Sequence, residues 1–123
     1  MRDGRLVQLS DDQTLHAQLV RDGVMSPEDA GKGAGSNVIL QALGTRLDVE
    51  PTIWTDGLPL RLGDIAVMCS DGLTNHVNDA EISNILNRKG KAQTKANALI
   101  KLTNARGGKD NTTLIIAQYQ EDK

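Results

Sequence analysis

Two short apolar segments, each with an aspartate at one end, most constrain what this chain can fold into. The first, Ile65–Cys69, is followed by Asp71, and the second, residues 112–119, is preceded by Asp110. Both have the length and composition of β-strands. If they pair antiparallel, both aspartates emerge at the same end of the sheet. Because Ile65–Cys69 is apolar throughout, we expect it to be buried on both faces.

The two aspartates predict a metal site at that end of the sheet. Carboxylate oxygens are the ligands that hard cations such as Mg²⁺ prefer, and glycines beside them let the ligand approach the backbone closely. Asp71 precedes Gly72, and Asp110 follows Gly107 and Gly108. Each aspartate alone is also explained by a turn, since Asp-Gly and Asp-Asn both favour turns. Their matched positions at two strand ends favour the metal site.

Length and composition exclude several classes of function. A chain of 123 residues fits one domain or half of a larger one. It carries 14 basic and 16 acidic residues without a block of like charge, and only 2% aromatic residues, so no nucleic-acid surface is predicted. No apolar run approaches the roughly 20 residues that span a bilayer, and no signal-peptide pattern is present. Cys69 is the only cysteine, so we expect a buried, inert thiol and a cytoplasmic location.

The first helix is predicted at residues 15–22, just before Gly23. Its apolar spacing places Leu15, Leu19 and Val20 inward. Asp12 is a candidate for its N-cap, because aspartate favours that position.

Two further helices are predicted between the strands. Asn78 and Glu81 form the pattern of a capping box, so the second helix begins after Asn78. Its inward residues are Ile82, Ile85 and Leu86. The third covers Ala92–Ala105, because its small and apolar residues recur at helical spacing. That stripe comprises Ala92, Ala96, Leu99 and Thr103.

The connecting segments carry their own predictions. An Asp-Gly turn at residues 3–4 followed by the alternating residues 5–9 reads as the second half of a hairpin, so we expect a split domain with an unpaired sheet edge there. Residues 24–37 are glycine-rich and predict a flap-like loop. A strand is expected near residues 52–55, and a disordered tail at residues 120–123. The flap glycines are Gly31, Gly33 and Gly35.

Other candidate sites have little support. His16 and His76 show no ligand spacing with each other or with Cys69, so structural roles are favoured. Ser70 lacks the nucleophile-elbow context of a serine hydrolase. Neither glycine-rich stretch contains the lysine-serine or lysine-threonine pair of a P-loop.

Taken in series, the motifs resemble the C-terminal half of PPM-type (protein phosphatase 2C-like) protein serine/threonine phosphatases. The resemblance covers almost the whole chain. The matching segments are residues 4–12, 37–39, 42–44, 62–64, 69–74 and 107–113. The order and spacing of these segments make the resemblance specific.

This resemblance implies an α+β fold, the C-terminal part of an α/β/β/α sandwich with mostly antiparallel sheets flanked by helices. It implies a binuclear Mn²⁺ or Mg²⁺ centre, with Asp71 and Asp110 as ligands. Gly72, Asn111 and Asp12 would support the site, Asn111 by hydrogen bonds that hold the Asp110 loop. The glycine-rich loop would be the flap near the substrate cleft.

The implied activity is hydrolysis of phosphoserine or phosphothreonine in a protein substrate by metal-activated water. The family's N-terminal half supplies a bridging aspartate in an Asp-Gly-x-Gly-Gly motif, a glycine carbonyl and a phosphate-binding arginine, and this sequence contains none of them. We therefore expect weak metal binding and little or no catalysis by this chain alone. One alternative is a non-catalytic half-domain that binds a partner or a phosphoprotein. Another is assembly with the missing half, or self-association into a dimer.

Overall fold

The computed structural model describes residues 1–36, 38–45, 47–48, 50–53 and 55–121. They form two units, one of Met1–Val7 with Leu58–Lys123 and the other of Gln8–Gly57. None of the described helices is long and apolar enough to cross a membrane. In chain order the elements are α1 (Leu15–Arg21), β1 (Ile65–Cys69), α2 (Asp71–Thr74), α3 (Asp79–Leu86), α4 (Ala92–Ala105) and β2 (Leu114–Gln118).

The first unit is built on a two-stranded antiparallel sheet. The strands β1 and β2 pair from Ile65 opposite Gln118 to Cys69 opposite Leu114. The antiparallel pairing expected from the sequence is therefore confirmed. Helices α2, α3 and α4 pack with the sheet around one apolar core. The buried core residues are Ile65, Leu73, Val77, Ile82, Ile85, Leu86 and Leu99.

Helix α3 begins where the capping box predicts. The Asn78 side chain accepts a hydrogen bond from the Glu81 backbone N–H at 3.0 Å, and the Glu81 carboxylate accepts one from the Asn78 N–H at 3.2 Å. These bonds satisfy two backbone donors that a helix start leaves without partners. All three residues predicted to face inward from α3 are buried.

Helix α4 has the predicted bounds, and its buried side includes Leu99 and Thr103. The Thr103 hydroxyl donates to the Leu99 carbonyl at 3.0 Å, so its burial leaves no donor unpaired. Lys95 is also buried on this helix, which the apolar pattern did not predict. The four-carbon stem of a lysine can pack along apolar surface. An apolar pattern counts lysine as an exposed residue, so it does not predict this burial.

The prediction that β1 is buried on both faces is wrong, and so is the prediction that the Cys69 thiol is buried. Met68 is 64% exposed, and Cys69 is also exposed. Partial desolvation still raises the pKa of the Cys69 thiol. Among the described residues, one face of β1 packs on the helical layer, while Ala66 and Met68 on the other face are exposed. An apolar run alone does not reveal how many layers cover a strand.

Helix α1 has the predicted position but a different cap and a different buried residue. Thr14 is the N-cap, and its Oγ1 accepts a hydrogen bond from the Ala17 N–H at 3.2 Å. Asp12 is therefore not the cap; its carboxylate accepts from the Gln8 side chain at 3.1 Å. His16 is the buried residue of α1. The three residues predicted to face inward, Leu15, Leu19 and Val20, are only half-buried.

Two predicted strands are not formed by the described residues. Residues 6–9 are not paired as a strand, and neither are residues 52, 53 and 55, while Trp54 lies outside the described residues. The Asp-Gly turn itself is present, because Arg2 and Arg5 exchange backbone hydrogen bonds of 3.0 and 2.9 Å. Asp3 and Gly4 have φ angles of 49° and 76° there. Such left-handed residues are typical of tight hairpin turns, so the turn prediction is confirmed.

An ion pair fixes this turn to the start of β1. The Arg2 guanidinium donates to both carboxylate oxygens of Asp64, at 2.9 and 2.7 Å, and the Arg61 N–H donates to one of them at 2.8 Å. The Arg2 hydrogen bonds, followed by that of Arg61, hold the pKa of Asp64 well below its usual range. The charged form of Asp64 is therefore favoured in the folded state.

We expect the free energy of unfolding to fall in acid because of Asp64. A pKa lowered by folding contributes stability that is complete above the unfolded value of about 3.9 and is lost as the pH falls through the folded pKa. Urea unfolding of the wild type and of Asp64→Asn, at a series of pH values from about 7 to about 2, measures this. The stability difference should be largest near neutrality and shrink in acid, whereas exposed Asp3→Asn should show little difference. A pH-independent gap would contradict the assignment.

Candidate functional site

The structure brings Asp71 and Asp110 to the same end of the two-stranded sheet. Asp71 lies two residues after β1, and Asp110 lies four residues before β2, next to the terminal pair of Cys69 with Leu114. Both aspartates are exposed. We call this pair the acidic corner. It has the arrangement that antiparallel pairing of the two segments requires.

Ser70 ties the two segments of the acidic corner together. Its N–H donates to the Thr113 carbonyl at 2.9 Å. Its hydroxyl donates to the Asn111 carbonyl at 3.2 Å and accepts from the Thr113 N–H at 3.1 Å. One side chain thus extends the sheet beyond its last strand pair, so that the segment after β1 and the segment before β2 keep a fixed register.

Gly72 lets the same two segments approach more closely than any other residue would allow. A Cβ at position 72 would lie 2.4 Å from the Asn111 carbonyl oxygen and 2.9 Å from Thr112 Oγ1. Contacts under 3.0 Å are essentially never seen for real Cβ atoms. Packing therefore explains two residues of the Ser-Asp-Gly motif. Ser70 hydrogen-bonds the two segments together, and Gly72 has no side chain to keep them apart.

The carboxylates of the acidic corner have few protein partners. Asp110 Oδ1 accepts a hydrogen bond from the Asn111 N–H at 2.7 Å. Within the described part of the chain, no hydrogen bond reaches the Asp71 carboxylate or the second oxygen of Asp110. Asn111 forms its bonds here through its backbone, not through its side chain. Most lone pairs of the two carboxylates are thus left for solvent or a bound cation.

This donor set fits part of a metal site but not all of one. Mn²⁺ and Mg²⁺ prefer carboxylate oxygens and take about six ligands, several of which are water. Asp71 and Asp110 fit two of those positions. Across the described ranges, no group of three or more His, Cys, Asp or Glu side chains is placed to hold a metal ion. Any metal centre at this corner would need further ligands.

Arg106 anchors the start of the loop that carries Asp110. Its guanidinium donates to both carboxylate oxygens of Glu81, one of them at 2.7 Å, and to the His76 carbonyl at 2.6 Å. The pKa of Glu81 is lowered chiefly by the hydrogen bonds from Arg106 and then by the one from the Asn78 backbone N–H. Arg106 thereby links the end of α4 to the start of α3. Sequence reasoning missed this residue, because its partners lie 30 and 25 residues away in the chain.

His76 supports the acidic corner from the other side of Gly72. Its Nδ1 lies 3.0 Å from the Gly72 carbonyl oxygen, so the ring donates from Nδ1. The ring therefore satisfies the carbonyl of the second residue of the short helix α2. This is the structural role that the sequence favoured for His76.

The other predicted site residues lie in the second unit. Asp12 precedes α1, and the three flap glycines lie in the turns that follow it. All three glycines have φ between 80° and 91°, which favours glycine over other residues. Asn37, at the end of the predicted flap, lies outside the described residues.

His16 holds the glycine-rich loop through both ring nitrogens. The Gly31 N–H donates to Nδ1 at 3.2 Å, and Nε2 lies 3.2 Å from the Ala34 carbonyl oxygen. Because Nδ1 accepts, the ring proton is assigned to Nε2, which donates to Ala34. His16 is only 5% exposed, so the loop is built around a buried side chain.

Replacing His16 with alanine should open this loop locally. The Gly31 N–H would lose its acceptor, and a hydrogen bond of this partly buried kind contributes about 0.5–1.5 kcal/mol. We expect the Gly31 amide to exchange with solvent up to about tenfold faster, as measured by hydrogen exchange and NMR. Gln18→Ala, which removes only exposed side-chain bonds of α1, is the matched control. Unchanged exchange at Gly31 in His16→Ala would contradict the role.

Comparisons with known proteins find serine/threonine phosphatases. The serine/threonine phosphatase stp of Listeria welshimeri is 36% identical over 118 residues, which cover 96% of this chain and 46% of that protein. The serine/threonine phosphatase PstP/Ppp of Mycobacterium tuberculosis matches with a TM-score of 0.87 at 35% identity, covering 98% of this chain and 49% of that one. The catalytic domain of PstP in complex with two manganese ions gives 0.80 at 35% identity, covering 98% and 48%. No protein-family model matches.

The resemblance to the C-terminal half of PPM-type phosphatases is confirmed by these comparisons. The described helices and the small antiparallel sheet match part of that α+β fold, as the sequence predicted. The chain spans about half the length of the relatives it matches.

Proposed function

We propose that this chain forms the C-terminal half of a Mn²⁺- or Mg²⁺-dependent phosphoserine/phosphothreonine protein phosphatase that acts on phosphorylated proteins in the cytoplasm. The observation that carries the proposal is the acidic corner, where Ser70 and Gly72 fix Asp71 beside the segment that leads from Asp110 to β2. The phosphatases to which the chain is similar support the reaction class. The manganese ions named for one of them support the metal.

In this proposal Asp71 and Asp110 hold the cation. A bound divalent cation would polarise phosphoryl oxygens and offset the negative charge that develops on them. Gly72 and the Asn111 backbone would keep the two carboxylates in register, and Asp12 is proposed as a further supporting residue. We also propose that residues 24–37 form a flap and that residues 120–123 form a disordered tail. In that tail, Asp122 and Lys123 lie outside the described residues.

A second candidate is a non-catalytic half-domain that binds a partner or a phosphoprotein. The observation that favours it is the small donor set: among the described residues, no third His, Cys, Asp or Glu joins Asp71 and Asp110 in a metal-holding group, and a two-metal site needs more ligands. Both candidates use the same corner. They differ in whether a bound phosphate ester is hydrolysed.

Metal binding and turnover, measured together, separate the two. Mn²⁺ binding is followed by electron paramagnetic resonance, and hydrolysis of a phosphothreonine peptide by phosphate release, with wild-type chain and with Asp110→Asn. Binding and Mn²⁺-dependent hydrolysis that both disappear in the variant support the phosphatase. Binding of Mn²⁺ and peptide without hydrolysis supports the half-domain for this chain alone. Mn²⁺ binding equal in wild type and variant would remove Asp110 from the site and overturn the proposal.

A further inference from the structure

A pocket in the first unit lies at the opposite end of β1 from the acidic corner. Its walls include the turn at residues 2–4, residues 61–65, the end of α3 and Lys95 of α4, and its volume is about 390 Å³. Ile65 is the first residue of β1, whereas the acidic corner follows Cys69, the last one. The length of the strand, about 13 Å, therefore separates this pocket from the candidate metal site. We call it the Lys95 pocket.

Lys95 is the unusual residue of this pocket. The residue is only 6% exposed. Among the described residues, its side chain has no partner in a hydrogen bond or an ion pair. Because no side-chain nitrogen in the described ranges is both enclosed and without a partner, the Lys95 ammonium must still reach solvent. Since Lys95 lines the pocket, we infer that the ammonium opens into it.

This arrangement places a positive charge where an anion would be favourable. Lysine is almost never so deeply buried unless it is paired, because an ionised group loses hydration when it is buried. Asp64, a carboxylate in the same walls, already accepts hydrogen bonds from the Arg2 guanidinium and from the Arg61 N–H. Asp3, the other carboxylate there, is exposed. The Lys95 ammonium is thus left for the anionic group of a ligand.

The size and lining of the pocket fit a small organic molecule. Sites for small molecules have volumes of about 300–1,000 Å³ and mostly apolar walls with a few polar groups, and this pocket lies at the lower end of that range. Ile65 and Leu86 are buried apolar residues of its walls. A lysine as enclosed as Lys95 is reached by a group that enters the pocket, and not by the flat surface of another protein.

We propose that the Lys95 pocket binds a small organic molecule through a carboxylate or phosphate group, which the Lys95 ammonium receives. Ile65 and Leu86 would contact the apolar body of the molecule. The anionic group offsets the unpaired charge of Lys95, and a hydrogen bond between two charged groups is stronger than one between neutral groups. This site does not depend on the metal chemistry proposed for the acidic corner.

Binding of three small probes to the whole chain tests the proposal. Phenyl phosphate, benzoate and benzyl alcohol share one aromatic ring, and benzyl alcohol carries no charge. All titrations are made in EDTA, so that no divalent cation can bring a probe to the acidic corner. Binding is followed by NMR through the backbone amides of Asn87 and Lys95. Lys95→Met keeps an unbranched side chain but removes the charge, and Lys101→Met removes an exposed lysine of the same helix as the matched control.

We expect phenyl phosphate or benzoate to bind with a Kd of about 1 mM or below. Benzyl alcohol to the wild type, and either anion to Lys95→Met, should bind at least about tenfold more weakly, because a hydrogen bond to a charged group is missing. Lys101→Met should bind the anions as the wild type does. The anion that binds more tightly identifies whether the site selects a carboxylate or a phosphate.

Urea unfolding of the same variants separates a binding role of Lys95 from a structural one. Lys95→Met should keep the wild-type unfolding midpoint or exceed it, because it removes an unpaired buried charge. A lower midpoint would assign Lys95 a structural role and overturn the proposal. Equal anion binding by Lys95→Met and the wild type, equal binding of benzyl alcohol and the anions, or binding of neither anion would also overturn it.

Discussion

Asp71→Asn is expected to lower Mn²⁺-dependent hydrolysis of a phosphothreonine peptide by at least about a hundredfold, in whichever assembly carries the activity, this chain alone or this chain with its complement. Asparagine keeps the size of the side chain but removes the negative charge. Loss of a group that merely orients a metal ligand costs about 10–100-fold, and loss of a ligand should cost more. The Asp71 carboxylate accepts no hydrogen bond from the described residues, so the change breaks no structural contact there.

The design of the controls separates metal binding from folding. Asp79→Asn removes another exposed carboxylate, eight residues further along at the start of α3, and should leave turnover nearly unchanged. The double variant of Asp71 and Asp110 should lose little more than either single variant, because in the proposed site both would hold the same cation. Raising the Mn²⁺ concentration should restore part of the lost rate if the defect is affinity. Full turnover in Asp71→Asn at moderate Mn²⁺ would exclude Asp71 as a ligand.

Patterns that depend on neighbouring residues located the elements of the first unit. Asn78 and Glu81 cap α3 through bonds between residues three apart, and the apolar run of β1 ends at Cys69 as expected. Antiparallel pairing then placed Asp71 and Asp110 at one end of the sheet, because that conclusion needs only strand direction. The helix cap, the apolar run of β1 and the antiparallel direction can each be predicted from a short stretch of sequence.

Features that depend on distant residues could not be read in the same way. Whether Cys69 is buried depends on how many layers of structure cover β1. The residues of the strand do not indicate the number of those layers. Thr14 and Asp12 are both good capping residues, so the choice between them depends on where the chain enters α1. The roles of Ser70 and Arg106 arise from contacts 41 and 25 residues away, which no local pattern contains.

Gly72→Ala is expected to destabilise the acidic corner more than any single change to an exposed residue of the first unit. The added Cβ would meet the Asn111 carbonyl oxygen at 2.4 Å, and a backbone atom cannot rotate away as a flexible side chain would. Overpacking of this kind typically costs about 1–3 kcal/mol. Relief requires the segment before β2 to move away from α2, which would stretch the bonds from Ser70 to Asn111 and Thr113. The shift would also displace Asp110.

Urea unfolding and Mn²⁺ binding should therefore change together in Gly72→Ala. We expect a lower unfolding midpoint and weaker Mn²⁺ binding, although no carboxylate has been altered. Asn75→Ala, an exposed change just after the same short helix, is the control and should alter neither quantity. Because Asp71→Asn should weaken Mn²⁺ binding without lowering the midpoint, the two variants distinguish a ligand from the packing that positions it. Wild-type stability and Mn²⁺ binding in Gly72→Ala would show that the two segments tolerate a wider separation than the contact implies.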